Sequence, residues 1–384
     1  MSCRFPLSEV EWQVILTAGY STVKAGFPPN FANLTRHVRA GGMEPPIAGA
    51  FLDFLPDRRH PGTVNIFLPP AMISGPARRR ALIAVRVAVS VAALWLAFGW
   101  VDLGGVATSM AAAGPLPIVM TLGVYLVSQG VSAARWMLIA RALGFALKPR
   151  TAVTYYFIGM FFNFLGPSML GGDVARSLYL SRGPARMSVA AASVALDRYV
   201  GFVWLTVLCS AAQIFFGSFS LPARLVWTTH ALALIALTSW VVLPRVAAGR
   251  LPPGLLGARW SASILSVIFH LIQISAAVVL AHALSASTPW RYCFVFHPLV
   301  AIVSALPISV AGLGVRESGY VYFLASVQGA PASQAGAFAA AWLAILTASS
   351  AIGGVVFLLN GGRLPRERAA NAGTHHSTQL PPSS

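Results

Sequence analysis

Charge is scarce in this chain, and negative charge is scarcer still. Of 384 residues only 10% are charged, where a soluble domain carries about 25%. Ten acids stand against 27 basic residues, and five of the acids (Glu9, Glu11, Glu44, Asp53 and Asp57) lie before residue 72. The three cysteines, Cys3, Cys209 and Cys293, show neither a pairing pattern nor metal-ligand spacing, which excludes a disulfide scaffold and a zinc module. Cys209 and Cys293 sit in apolar runs and read as packing residues. The histidines are scattered; His270 and His297 have no ligand partner at useful spacing and read as helix contacts. No GxxxxGK[ST] pattern occurs, so ATP is not a direct fuel within this chain. A DDxxD cluster and a nucleophile–base constellation are also lacking, and no cofactor or metal is expected.

What is abundant is apolar surface, at 57% of residues. Hydrophobic runs near the spanning length of ~20 residues recur from Ala81 to Asn360. The alternating ~10-residue pattern of a membrane β-barrel is not seen. The expected fold is all-α: a polytopic integral membrane helical bundle of about six full spans plus two re-entrant broken-helix hairpins in an inverted arrangement. The net charge of +17 is read as topology signal rather than nucleic-acid binding, because most Lys and Arg flank apolar runs.

Three parts are expected. Residues 1–71 hold Pro/Gly clusters ("GFPPN", "GGMEPP") and no spanning helix. They read as a poorly structured extension, or as sequence ahead of a true start at Met72. Residues 72–361 form the transmembrane domain, and 362–384 a polar, Pro-rich, disordered cytoplasmic tail. The expected spans begin with Ala81–Trp100, Leu116–Leu138 and Val189–Phe216, the segment between the last two being Tyr155–Leu170. Val226–Leu243, Ser261–Leu284, Tyr292–Pro307, Ser318–Val327 and Gln334–Leu359 follow, some too short to span alone. Arg78–Arg80, Arg141, Lys148, Arg150, Arg245, Arg250, Arg259 and Arg363 mark one side of the membrane. The stretch Val101–Pro115 has no basic residue and reads as an outer loop. Both termini are therefore expected in the cytoplasm of a bacterium, around its inner membrane.

Within this apolar chain, "LGPSMLGGDVARS" (Leu165–Ser177) stands out, and "LPISVAGLGVRES" (Leu306–Ser318) resembles it. Pro167 and Pro307 are each followed by Gly five residues later (Gly172, Gly312) and Arg nine later (Arg176, Arg316). The topology puts the first dip on the cytoplasmic side and the second on the outer side. Broken segments of opposite orientation point to a transporter site near the midplane. Asp173, Asp197 and Glu317 lie in or beside apolar segments, each with an arginine close in sequence: Arg176, Arg198 and Arg316. Ionisable groups at membrane depth persist when they pair, line a wet cavity or bind something. Asp173 and Arg176 share a helix face, while adjacent Asp197 and Arg198 do not, so Asp197 is expected to pair across the bundle. Asn163 reads equally as a helix cap, a hydrogen-bond residue or a ligand contact. Glycines let backbone N–H groups face a ligand, and arginine grips phosphate, so an anionic headgroup between two facing hairpins is the physical hypothesis.

"NFLGPSMLGGDVARSLYLSR", "VALDRYVGF" and "LPISVAGLGVRESGYVYFLA" together resemble the signatures of the lysylphosphatidylglycerol synthase transmembrane-region family, also called the flippase-like domain family. The likeness covers roughly Arg80–Asn360. It implies a bacterial inner-membrane domain of the kind that, in the multiple peptide resistance factor, moves aminoacylated phospholipid to the outer leaflet. The family's motif positions fall on Asn163, Pro167, Gly171, Gly172, Asp173, Arg176, Asp197, Arg198, Gly201, Pro307, Gly312, Gly314, Arg316 and Glu317. That factor also carries a soluble aminoacyl transferase domain, which does not follow the last span here, so a transport protein rather than an enzyme is expected. In this reading Arg176 and Arg316 hold a headgroup phosphate, Asp173 and Glu317 balance them or contact a cationic headgroup, and a proton gradient acting on Asp173, Asp197 or Glu317 is the candidate energy source. A separate lipid-synthesis enzyme is the expected partner. The competing readings are a membrane-embedded lipid-modifying enzyme and a scaffold subunit of a lipid or glycolipid synthesis complex.

Overall fold

The computed structural model describes residues 84–85, 87–95, 99, 101–165, 171–181, 186–246, 252–284, 288–306, 309–310 and 312–362. The expectations for residues 1–71 and for the tail beyond Gly362 lie outside these residues, as do Pro167 and Pro307. Among the described residues the chain is helical and contains no strand. After a helical stretch at 87–95 come α1 (Leu103–Ala113), α2 (Pro115–Ala142), α3 (Pro149–Leu165), α4 (Gly171–Ser181) and α5 (Met187–Phe216). Then follow α6 (Ala223–Val246), α7 (Pro253–Leu284), α8 (Trp290–Ser304), α9 (Val315–Val321) and α10 (Ala332–Leu359). Five of these, α2, α5, α6, α7 and α10, are long and apolar enough to cross a membrane. The expected first span, Ala81–Trp100, falls partly outside the described residues.

The apolar side of the long helices faces out. On α6 Trp227, Leu234, Ile235 and Val242 are exposed, and on α2 Leu116, Val119, Met120 and Val127. Polar side chains turn inward instead: Ser128, Ser132 and Arg135 on α2, and Ser263, Ser266, His270 and Gln273 on α7. Their spacing of three or four residues places each set on one helix face. In a lipid solvent this inside-out distribution is stable, because inward polar groups find partners there and the apolar faces need none. His270 accordingly hydrogen-bonds the carbonyl of Gly201 at 2.9 Å, and His297 the hydroxyl of Tyr320 at 3.1 Å, as helix contacts. Tyr320 is also the centre of an aromatic core, with Phe338 at 5.0 Å and Trp342 at 5.9 Å between ring centroids.

Two places interrupt the regular bundle. α3 and α4 are separate helices packed against each other, and α4 has 11 residues, about 16 Å at 1.5 Å per residue and roughly half the hydrocarbon thickness. Between α8 and α9 the chain breaks again; α9 has 7 residues and runs into a π turn at Tyr322–Val327. The hydroxyl of Tyr292 donates to the Phe323 carbonyl within that turn at 2.7 Å, so a carbonyl there keeps a partner.

Glycine brings the pieces close. A side chain at Gly172 would meet the Gly159 carbonyl oxygen at 2.0 Å, so α3 and α4 touch backbone to backbone. Gly353 lets α10 approach the Phe157 carbonyl equally closely, a Cβ there lying 2.2 Å from it. At the second break Gly314 adopts φ +80° and leaves room for the backbone of Ser90 and Leu94. The helical stretch 87–95 also braces this break by accepting at the Ser90 hydroxyl from Val310 N–H (2.8 Å) and at the Ala93 carbonyl from Ser318 (2.7 Å).

Two expectations are corrected. The stretch read as a bare loop, Val101–Pro115, forms α1: Asp102 caps it by accepting from the Gly104 and Gly105 N–H groups at 3.0 Å, and Gly114 at φ +71° ends it. The span expected to start at Ser261 starts two turns earlier, at Pro253, because Arg259 lies along Trp240 and Trp260 instead of ending the helix.

Gly353→Ala overpacks the α3–α10 contact, at a cost of about 1–3 kcal/mol. We expect a lower thermal midpoint in detergent, read by size-exclusion thermostability, whereas Gly130→Ala, which has open space around it, leaves the midpoint unchanged or raised.

Candidate functional site

The charged groups that the long helices turn inward meet where α2, α4, α5 and α7 converge. Asp197 on α5 is the centre. Its Oδ1 accepts from Arg135 Nε at 2.7 Å and its Oδ2 from Arg176 Nη1 at 3.3 Å. Arg135 on α2 also donates from Nη1 to Ser266 of α7 at 3.0 Å and from Nη2 to Ser132 at 3.1 Å. Arg176 on α4 donates from Nη2 to Asp173 at 2.8 Å, one turn back on the same helix. Asp173 in turn accepts from Arg198 Nε. The result is a zigzag of three arginines and two aspartates in which every carboxylate oxygen is taken. In a low-dielectric interior each of these ions is stable only beside its partners.

The surrounding residues are shaped to this network. Arg176 lies over the rings of Tyr156 (4.8 Å) and Trp136 (5.3 Å), and Arg135 over Phe269 (5.5 Å). A Cβ at Gly201 would press on the Arg135 guanidinium at 3.3 Å, and one at Gly159 on the Arg176 side chain at 2.9 Å. Asn163 accepts from the Gly172 N–H at 2.9 Å and so caps α4 across the break.

Beside the network lies a cavity of about 480 Å³, within the size range of small-ligand sites. Arg135, Arg176, Arg198 and Arg316 line it, with Asp197 as the acid among its described lining residues. Gln129, Asn163, Ser349 and Ser350 add uncharged polar groups, and Tyr125, Phe202 and Phe269 add rings. The arginines of both broken segments, Arg176 and Arg316, therefore face one space, although 140 residues separate them in sequence.

The expected residues divide as follows. Arg176, Arg198, Asp197 and Asn163 line the cavity, and Asp173 stands just behind two of its arginines. Arg316 joins them from the second break. Gly171 is the first residue of α4, and Pro167 lies outside the described residues. Gly172 and Gly314 do not offer their N–H groups to a ligand: Asn163 takes the first, and Glu317 the second at 2.6 Å. Gly312, at φ +77°, gives room to Arg316, since a Cβ there would lie 2.9 Å from its Nη2. The expected Glu317–Arg316 pair is not formed. Glu317 is fully buried and turns back to cap its own short helix, leaving Oε1 without a hydrogen-bond partner among the described residues, because in an α-helix adjacent side chains diverge.

Sequence reasoning missed Arg135, the strongest partner of Asp197. It sits inside the apolar run of α2, and a charge in the middle of a span is a signal in its own right. Ser132, Tyr156 and Ser266 carried no such signal, since hydroxyls are common in membrane helices.

A family model described as lysylphosphatidylglycerol synthase TM region matches residues 83–354. No curated protein matches the chain.

Removing one member of a buried ion network leaves its partners uncompensated, at a cost of about 3–5 kcal/mol. Asp197→Asn is therefore expected to lower the thermal midpoint in detergent more than Asp173→Asn does. Asp197 holds two arginines whose side chains are 5% exposed, while the Arg198 held by Asp173 is 40% exposed and can hydrate.

Proposed function

The chain belongs to the lysylphosphatidylglycerol synthase TM region family and is a multi-pass membrane protein with a lipid-related function, and from this premise we propose that it is a lipid translocase. It moves a phospholipid or lipid-linked precursor between the leaflets of the bacterial inner membrane. The observation that carries this reading is the cavity into which Arg176 and Arg316, from two separate helix breaks, both project. A headgroup phosphate there accepts from guanidinium groups that desolvation has strengthened. The α3–α4 and α8–α9 pairs act as the two re-entrant segments, one from each side, and both termini face the cytoplasm where the basic flanks lie.

The two walls then have different tasks. Arg176 is fixed by two aspartates and two aromatic rings, so it presents its charge at a constant position. Arg316 sits on a 7-residue helix between a glycine-rich break and a π turn, a segment suited to moving as a unit. Movement of this second segment against the fixed first one would expose the headgroup to one leaflet and then the other. A separate lipid-synthesis enzyme supplies the lipid.

Reconstitution into liposomes with fluorescent reporter phospholipids tests this by dithionite quenching of the outer leaflet. Arg316→Gln is expected to slow exchange at least about tenfold, the loss of one charge-assisted phosphate contact, while Arg224→Gln, on α6 away from the cavity, is not. Size-exclusion profiles confirm that both variants fold. Full exchange in a folded Arg316→Gln variant would overturn the reading and favour a scaffold; a modified lipid found by mass spectrometry would favour an enzyme.

A further inference from the structure

Seven buried side-chain nitrogen or oxygen atoms lack a hydrogen-bond partner among the described residues, and three of the four oxygens fall in one short stretch. They are Ser304 Oγ at the end of α8, Ser309 Oγ in the bend that follows, and Glu317 Oε1 near the start of α9. None of these residues is more than 3% exposed. A buried polar atom without a partner is costly, so a concentration of them at one break marks a place that something else completes.

Glu317 identifies the kind of group that is missing. Its Oε2 accepts from the Gly314 N–H at 2.6 Å, and no basic side chain among the described residues pairs with it. Asp173 and Asp197, by contrast, place all their oxygens on arginines. Arg316 does not compensate Glu317, because it turns to the cavity. Tyr320, on the next turn, is engaged with His297 at 3.1 Å. A water molecule would satisfy the hydrogen bonding here but leave the carboxylate charge unbalanced at membrane depth; a cation meets both needs.

The backbone favours a cation as well. α8 ends at Ser304, and the carbonyl end of a helix carries partial negative charge. Gly312, at φ +77°, brings the chain back over that end: a Cβ there would lie 3.1 Å from the Ser304 carbonyl oxygen. Unwound backbone and half-helix carbonyl ends are where broken membrane helices coordinate small cations. The charge of the ion follows from the donors. One carboxylate, with the Arg316 guanidinium also beside Gly312, balances a single positive charge, whereas calcium sites gather several carboxylates. Among the described residues no group of three His, Cys, Asp or Glu side chains could hold a transition metal.

We propose that the break between α8 and α9 binds an alkali cation through Glu317 Oε1, Ser304 Oγ and Ser309 Oγ, with backbone carbonyl oxygen completing the shell. The ion ties the end of α8 to the start of α9 and so fixes the segment that carries Arg316. Its part in transport rests on the lipid-translocase reading; the binding site itself does not.

The test uses the full chain in detergent, without added lipid. Thermal midpoints are compared in sodium, potassium and N-methylglucamine chloride at equal ionic strength, which removes general screening from the comparison. The expected result is a midpoint that rises with sodium or potassium by about 2–4 °C per tenfold in concentration, as linkage to one saturable site requires. Binding of radioactive sodium is measured alongside. Glu317→Gln keeps an oxygen for the Gly314 N–H and is expected to abolish both effects. Ser304→Ala with Ser309→Ala leaves the carboxylate and its cap in place and is expected to weaken both at least severalfold. A midpoint the same in all three salts overturns the inference and assigns the three oxygens to buried water or a proton. A rise seen only with calcium or magnesium also overturns it, as does an undiminished sodium effect in either folded variant. Leaflet exchange in liposomes with and without sodium separates the two readings. Sodium-dependent midpoints with exchange indifferent to sodium sustain the site and make the ion structural. Sodium binding with no exchange of any reporter lipid sustains the site and overturns translocation instead.

Discussion

Asp197 held between two arginines is the interaction on which the rest of the site depends. A carboxylate at that depth is stable only with full compensation, and Arg135 and Arg176 supply it from two different helices. Those arginines then need partners of their own, and the demand spreads outward. Arg135 recruits Ser132 and Ser266, which ties α2 to α7. Arg176 recruits Asp173, which recruits Arg198 and ties α4 back to α5. One buried charge thereby sets the relative positions of four helices, and of the short α4 in particular, which has little apolar surface with which to anchor itself.

The glycines follow from this rather than from the ligand. At Gly159 and Gly201 a side chain would push on an arginine, and at Gly172 on the backbone of the neighbouring helix. Their absence of side chain lets charged groups and half-helices pack at distances no other residue allows. Asn163 then satisfies the N–H that the break exposes, so the interruption costs little. The second break solves the same problem differently, with Glu317 capping α9 from within and the stretch 87–95 covering it from outside.

The two breaks look alike in sequence and behave unlike in structure. In the first, the acid precedes the arginine by three residues, so both side chains lie on one helix face and pair. In the second, the acid directly follows the arginine, so the two diverge; Arg316 goes to the cavity and Glu317 to the helix end. A rigid, fully paired wall thus stands beside a wall whose arginine rides on a short helix that passes into a π turn. The translocation proposed above needs this combination, one part that defines the ligand's position and another that can move.

The amino-acid sequence alone determined the solvent and the fold class. Apolar runs of spanning length with so little charge have no stable form outside a bilayer; inside one, lipid offers backbone groups no partner, so they must be helices or a closed barrel, and the barrel's alternating pattern is not seen. It also marked the two interruptions, since Pro, Gly and paired charges are costly there unless something uses them, and it identified Asp197 as needing a partner across the bundle. Only the tertiary structure decided which partner: Arg135 is 62 residues away, and no periodicity links the two. The same holds for the meeting of Arg176 and Arg316 at one cavity and for the inward turn of Glu317. Helix propensity and hydropathy act along the chain over a few residues, whereas these arrangements depend on how whole helices rotate and cross, and that is settled by packing among segments far apart in sequence.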